Sequence, residues 1–278
     1  MYKVLDLFSG IGGFSLGLER TGGFTTSAFC EICPEARKVL RKHWADVPIY
    51  EDITKLTAEI LDNDGLKIDC ITGGFPCQDI SGAGYGDGIV GKRSGLWRDM
   101  CRLVWNVRPK WVIAENVSAL RSKGLTLVLQ NLSTIGYDAE WHCIPASAIG
   151  APHQRDRIWI IAKLSNALLQ HSPKRGQRTT TEGEGASGSI DEARGYRDAK
   201  RKRPIRGARL NTRSGKLATN GGYWKDEPEP CRVVDGFPNR LDRLKQLGNS
   251  VVPQIPELIG NAILKKEGKH GCFTGQEL

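Results

Sequence analysis

No apolar run in this chain approaches the roughly 20 residues that a helix needs to cross a bilayer, so a helical membrane anchor is not expected. The start of the chain lacks the charged-then-apolar layout of a signal peptide. Met1-Tyr2-Lys3 runs directly into an apolar strand, and a cytoplasmic setting is the expectation. No internal repeat is present. The eight cysteines (30, 33, 70, 77, 101, 143, 231 and 272) are scattered through segments that read as strands and helices, a pattern that suits reduced cytosolic thiols better than a disulfide framework. Cys30-x-x-Cys33 has no second Cys or His pair at zinc-binding spacing, so no metal is expected.

What is present suits a large α/β domain with a smaller module: 278 residues, 39% of them apolar. The net charge is +9, and its placement matters more than its size. Lys174 to Lys216 holds 13 Lys or Arg against 5 Asp or Glu, a local balance of +8, and the rest is close to neutral. A concentrated basic stretch points to a polyanion, most simply nucleic acid. The alternative is a solvated insert without a partner.

Short apolar runs alternate with helical patterns along the first 164 residues. Strands are expected at 4–8, 25–31, 49–53, 68–73, 110–116, 137–144 and 157–163. Helices are expected from Phe14, over 34–44, 54–61 and 96–107, with a broken one over 118–135. This alternation indicates an α/β fold, a doubly wound, mostly parallel sheet with crossover helices. Composition changes near Ser165, after which the chain is polar and poor in periodic apolar residues. A final helix over 253–265 is expected to return to the main domain.

Two places carry chemistry. The first is Gly73-Gly-Phe-Pro-Cys-Gln-Asp-Ile-Ser81, which puts Cys77 at the end of a buried strand, on the sheet edge where ligands collect. Pro76 fixes its own φ and biases Phe75 toward extended backbone, which aims the thiol. Gly82, Gly84, Gly86, Gly88 and Gly91 follow, as in a loop able to close over a substrate. A buried structural cysteine is the alternative. It fits poorly beside so many loop glycines.

The second is Asp6-x-Phe8-Ser9-Gly10-x-Gly12-Gly13, at the first strand-to-helix turn. Glu31 ends the second strand, where an acid can hold ribose hydroxyls. Asp52 ends the third, where a second acid can meet an adenine amino group. The turn itself has no basic residue to pair with a pyrophosphate. Two acids without a phosphate clamp favour a nucleoside with a cationic tail, such as S-adenosylmethionine, over a dinucleotide. Taken singly, Glu31 also suits an acid at a helix N-terminus, and Asp52 an N-cap before Thr54.

Six stretches, in order, resemble the DNA cytosine-5 methyltransferase family of bacterial or phage type: Asp-Leu-Phe-Ser-Gly-Ile-Gly-Gly-Phe (6–14), the Cys77 stretch (73–81), Arg-Ser-Gly-Leu-Trp (93–97), Glu-Asn-Val (115–117), Gln-Arg-Asp-Arg-Ile-Trp (154–159) and Gln-Leu-Gly-Asn-Ser-Val-Val-Pro (246–253). The resemblance implies a class I S-adenosylmethionine-dependent methyltransferase fold with a small irregular target-recognition insert. It divides the chain into a catalytic domain (1–164), a short basic target-recognition region (165–240) and a returning C-terminal segment (241–278).

It also implies roles. Cys77 is the nucleophile toward carbon 6 of cytosine. Glu115 contacts the ring nitrogen, with a raised pKa. Arg157 bonds the cytosine carbonyl, and Arg155 lies close by. Asp6, Phe8, Ser9, Gly10, Gly12, Gly13, Glu31, Asp52, Ile53, Pro76, Leu96, Asn249 and Ser250 line the cofactor pocket. Because the base must leave the duplex stack, Ser81, Lys92 and Arg93 are expected to meet DNA, and Arg201, Arg203 and Arg206 to do so from the basic region. Lys92 equally suits an ordinary exposed charge.

The implied partner is double-stranded DNA and the expected state a monomer. His153-Gln154 ahead of Arg155-Asp156-Arg157 departs from the family's usual residues, and the target-recognition region is short for its role. The competing readings are an RNA cytosine methyltransferase on the same scaffold and a DNA-binding relative without turnover. The intact Cys77, Glu115 and Arg157 set argues against the last.

Overall fold

The computed structural model describes residues 1–76, 95–165 and 247–268. Seven strands form one sheet in the order β3-β2-β1-β4-β5-β7-β6. They are β1 (Tyr2–Leu7), β2 (Phe24–Cys30), β3 (Ile49–Tyr50), β4 (Cys70–Gly74), β5 (Trp111–Val117), β6 (Tyr137–Pro145) and β7 (Asp156–Leu164). The pairings from β3 through β5 are parallel, whereas β7 runs antiparallel to both β5 and β6.

The central strands are buried on both faces, so they read as continuous apolar runs. Alternate residues feed two cores. Leu5, Leu7, Ile71, Val112 and Ile160 face one; Val4, Cys70, Ile113, Trp159 and Ile161 face the other. Onto the first pack α3 (Ala58–Asn63), α4 (Gly95–Val107), α5 (Leu120–Lys123) and α6 (Leu125–Thr134). Trp97, Met100, Leu103 and Val104 make the buried stripe of α4. Onto the second pack α1 (Gly13–Arg20) and α7 (Gln254–Lys266). Helix α2 (Pro34–His43) opens on a proline, with Glu35 in its first turn and Arg41, Lys42 and His43 in its last, as the helix dipole favours.

Glycines let the C-terminal segment lie against α1. A Cβ on Gly13 would sit 2.5 Å from the Val251 carbonyl oxygen, and one on Gly17 only 2.0 Å from that of Pro253. At the far end of α7, the Glu267 carboxylate is clasped by Lys110 and by Lys163 at 2.8 Å, with the Tyr2 hydroxyl 3.3 Å away. These contacts pull the Glu267 pKa down to about 2.

Candidate functional site

Strand order reverses at β1, which pairs with β2 on one side and β4 on the other. The carboxyl ends of β1 and β4 therefore open a crevice at the topological switch point, the usual ligand position in this class of sheet. The turn after β1 is built from left-handed backbone: Phe8 at φ 53°, Gly10 at 54° and Gly12 at 86°. A Cβ on Gly10 would meet open space, whereas one on Gly12 would lie 2.7 Å from the Trp44 ring. Gly12 and Gly13 thus serve close packing, and Gly10 leaves backbone accessible. Ser9 Oγ donates to the Asp6 carbonyl at 2.5 Å and accepts from the Cys30 N–H at 3.2 Å, tying the turn to β2.

Asp6, expected among the cofactor residues, lies beneath the turn. Its carboxyl is completely buried and accepts hydrogen bonds from Ser15 (2.9 Å) and Thr72 (2.8 Å). It braces β1, α1 and β4 there. Burial pushes its pKa up to about 7, against the opposing effect of the two hydroxyls.

Glu31 closes the turn from the β2 side. Its carboxylate accepts from the Gly10 N–H at 2.7 Å and the Cys33 N–H at 2.8 Å. Arg37 holds the Glu31 and Ile32 carbonyls at 3.2 and 3.1 Å and pairs with Glu51 at 3.0 Å. Asp52 accepts from the N–H and hydroxyl of Thr54 at 2.9 and 2.7 Å, which lowers its pKa. It also lines a cavity of about 480 Å3 with Ile32, Pro34, Tyr50 and Leu56. Phe8 and Leu96 are half-buried at the core edge, the Ile53 side chain is buried in the core, and Pro76 is exposed past β4.

These residues fit a nucleoside. Each carboxylate keeps spare acceptor positions, Ile32 offers an exposed aliphatic surface, and residues 8–13 carry no cation.

On the other flank of the crevice, β4 and β5 place Gly74 opposite Glu115. A Cβ on Gly74 would be 3.1 Å from Glu115 Oε2, so glycine leaves the carboxylate its room. Arg157, on β7, puts Nε 2.9 Å from Glu115 Oε1. Burial raises the Glu115 pKa, opposed by Arg157 and Arg155.

Arg155 is left-handed, at φ 37°. Its guanidinium donates to the carbonyls of Gly248 (2.7 Å) and Ser250 (2.5 Å). It therefore anchors the returning segment beside Glu115, and its charge opposes the rise in the Glu115 pKa. Asn249 is exposed between those two carbonyls, and the Ser250 hydroxyl donates to the Val251 carbonyl at 3.1 Å. Cys77, Ser81, Lys92, Arg93, Arg201, Arg203 and Arg206 lie outside the described residues.

Sequence reasoning missed Asn116. It is buried, donates to the Phe75 carbonyl at 2.9 Å and accepts from the Val117 N–H at 2.8 Å. It fastens β5 to the backbone two residues before Cys77. The signal was an amide at the end of a buried strand, where an unpaired side chain would be costly. Thr72 was signalled the same way, as a hydroxyl inside an apolar run.

The family model for C-5 cytosine-specific DNA methylase matches residues 2–224. The chain belongs to that family. It is 38% identical over 170 residues to the type II methyltransferase M2.BsuMI of Bacillus subtilis, covering 58% of this chain and 42% of that protein. It is 40% identical over 162 residues to M.CviJI of Paramecium bursaria Chlorella virus IL3A, covering 58% and 43%. These matches span less than half the length of either relative. M.DsaV of Dactylococcopsis salina is 27% identical over 306 residues, covering 94% of this chain and 86% of that protein.

Among solved structures, a chain described as a DNA modification methyltransferase encoded within an E. coli prophage superposes on this cytosine-methylase family member at TM-score 0.50. It shows 31% identity and covers 61% of this chain and 48% of that one. The S. pombe Dnmt2 methyltransferase superposes at 0.51 with 22% identity, covering 64% and 57%, and shares the fold. Among the described residues, no helix is long and apolar enough to cross a membrane, and no cluster of His, Cys, Asp or Glu could hold a metal ion.

Proposed function

We propose that this chain transfers a methyl group from S-adenosylmethionine to carbon 5 of cytosine in double-stranded DNA, with Cys77 as covalent nucleophile toward an extruded base. The observation that carries the proposal is the Glu115–Arg157 pair at 2.9 Å, on the strand beside the one that leads to Cys77. S-adenosylmethionine supplies a methyl carbon made electrophilic by its sulfonium.

The chain's residues make the ring nucleophilic. The Cys77 thiolate adds to carbon 6, and electron density moves to carbon 5. Addition is uphill unless the ring nitrogen N3 gains a proton or hydrogen bond. Glu115, held toward its protonated form by burial, donates there. Arg157 Nε stays on Glu115 and Nη1 on the Asp156 carbonyl at 2.8 Å; Nη2, unpartnered among the described residues, meets the cytosine carbonyl oxygen. Carbon 5 takes the methyl as the methyl–sulfonium bond breaks to leave a neutral thioether. A water then takes the carbon 5 proton, N3 returns its proton to Glu115, and expulsion of the Cys77 thiolate restores the aromatic ring.

Glu31 and Asp52 would hold the ribose and adenine of the donor. Residues 165–240 supply target recognition, and Arg201, Arg203 and Arg206 contact phosphates. The base leaves the stack because carbon 6 is unreachable inside a duplex.

Bisulfite sequencing of DNA from cells expressing the chain tests the proposal. Protected cytosines within a recurring short motif are expected. Full conversion throughout, with methylated transfer RNA instead, would transfer the activity to RNA.

A further inference from the structure

Arg102, on α4, lies outside every stretch that carries the family resemblance. Its Nη1 donates to the Leu56 carbonyl and its Nη2 to the Ile53 carbonyl, both at 2.9 Å. Asp99, one helical turn earlier, faces Nε at 3.3 Å and Nη2 at 3.1 Å and so sets the plane of the guanidinium. The turn it grips is the one that bears Asp52.

That turn needs outside support. Strand β3 is only two residues long and pairs with β2 at two positions, so the sheet ladder ends at Tyr50. Within the turn, the N–H groups of Lys55 and Leu56 reach the Asp52 carbonyl at 3.1 Å. Ile53 and Leu56 are 5% and 1% exposed, and their burial fixes how deep the turn sits. Burial is non-directional, however, and does not fix rotation. Two hydrogen bonds from one planar fork do.

We infer that Arg102 is a positioning residue for the cofactor, holding the Ile53–Leu56 turn so that the Asp52 carboxylate meets the base of S-adenosylmethionine. The inference rests on the reading of Asp52 as a nucleoside contact. It also gives α4, which begins just after residues 77–94, a direct grip on the cofactor side of the crevice.

Calorimetric binding of S-adenosylhomocysteine to the full chain, with thermal unfolding of each variant, tests it. The variants are Arg102→Lys, Asp99→Asn, Asp52→Asn and the Arg102→Lys/Asp52→Asn double. Lysine keeps the charge beside Asp99 but offers one nitrogen on a flexible stem in place of the planar fork whose two nitrogens reach the two carbonyls. Arg102→Lys is expected to weaken binding by about tenfold, the loss of roughly one net hydrogen bond. The double variant is expected to bind no more weakly than Asp52→Asn alone. Asp99→Asn, which leaves the guanidinium present but less fixed, should weaken binding in the same sense by a smaller factor, and it carries the test if Arg102→Lys does not fold.

Multiplying losses in the double variant, or wild-type affinity in a folded Arg102→Lys or Asp99→Asn, would overturn the inference while leaving the cofactor reading intact. A wild-type chain that binds no S-adenosylhomocysteine would overturn both.

Discussion

Glu115 Oε1 and Arg157 Nε are 2.9 Å apart, although their strands pair them two positions out of step: Glu115 stands opposite Trp159, and Arg157 opposite Val117. The diagonal contact brings a buried acid and a guanidinium together at the edge where β5 ends. Glu115→Gln keeps the shape and loses the ionisable proton. Single-turnover methyl transfer is expected to fall about a hundredfold or more, with S-adenosylhomocysteine affinity unchanged. Retained turnover would remove Glu115 from the chemistry.

Asn116 should act through the backbone that leads to Cys77. Asn116→Ala leaves the buried Phe75 carbonyl without its partner. A stability loss of about 1–3 kcal/mol in urea unfolding is expected, with slower adduct formation on 5-fluorocytosine DNA. Unchanged adduct kinetics at reduced stability would make its role purely structural.

Gly17→Ala sets two effects against each other. Alanine in a helix gains about 1 kcal/mol over glycine. Here the new Cβ would sit 2.0 Å from the Pro253 carbonyl oxygen, a clash with backbone that cannot swing aside. Overpacking of about 1–3 kcal/mol wins, and faster hydrogen exchange across α7 is the expected result. A variant more stable than wild type would contradict this packing.

Glu267 makes stability depend on acidity. Its pKa is about 2 in the folded chain, below the ordinary glutamate value of 4.5. A depressed acid contributes stability above its unfolded pKa and loses it as pH falls from about 4.5 toward about 2. Glu267→Gln should lower the unfolding temperature at pH 7 and flatten its fall across that window. Asp6 has the opposite sign. Its raised pKa means that its contribution is full below about 4 and is lost as pH rises through about 7, so Asp6→Asn should flatten that limb.

The elements buried on both faces were legible as apolar runs, because such strands leave no polar alternation to misread; Trp111–Val117 and Cys70–Gly74 fall close to expectation. The edge was read less well. A strand was expected over 49–53, but Glu51 and Asp52 leave the ladder and β3 stops at Tyr50. A helix was expected from Thr54, yet Thr57 accepts a hydrogen bond from the Ile60 N–H and starts α3 at Ala58.

In the site, an acid at a strand end is equally a ligand contact or an internal brace. Asp6 became the brace because Ser15 and Thr72, 9 and 66 residues away, converge on it. Arg155 likewise found its partners 93 and 95 residues downstream. No local pattern reports such distant contacts.

The most direct measurement is mass spectrometry of the complex formed with duplex DNA carrying 5-fluorocytosine in the methylated motif, in the presence of S-adenosylmethionine. Covalent catalysis requires a stable adduct on the peptide containing Cys77, absent from Cys77→Ser. Methylated product from Cys77→Ser, or an adduct on a different cysteine, would contradict it.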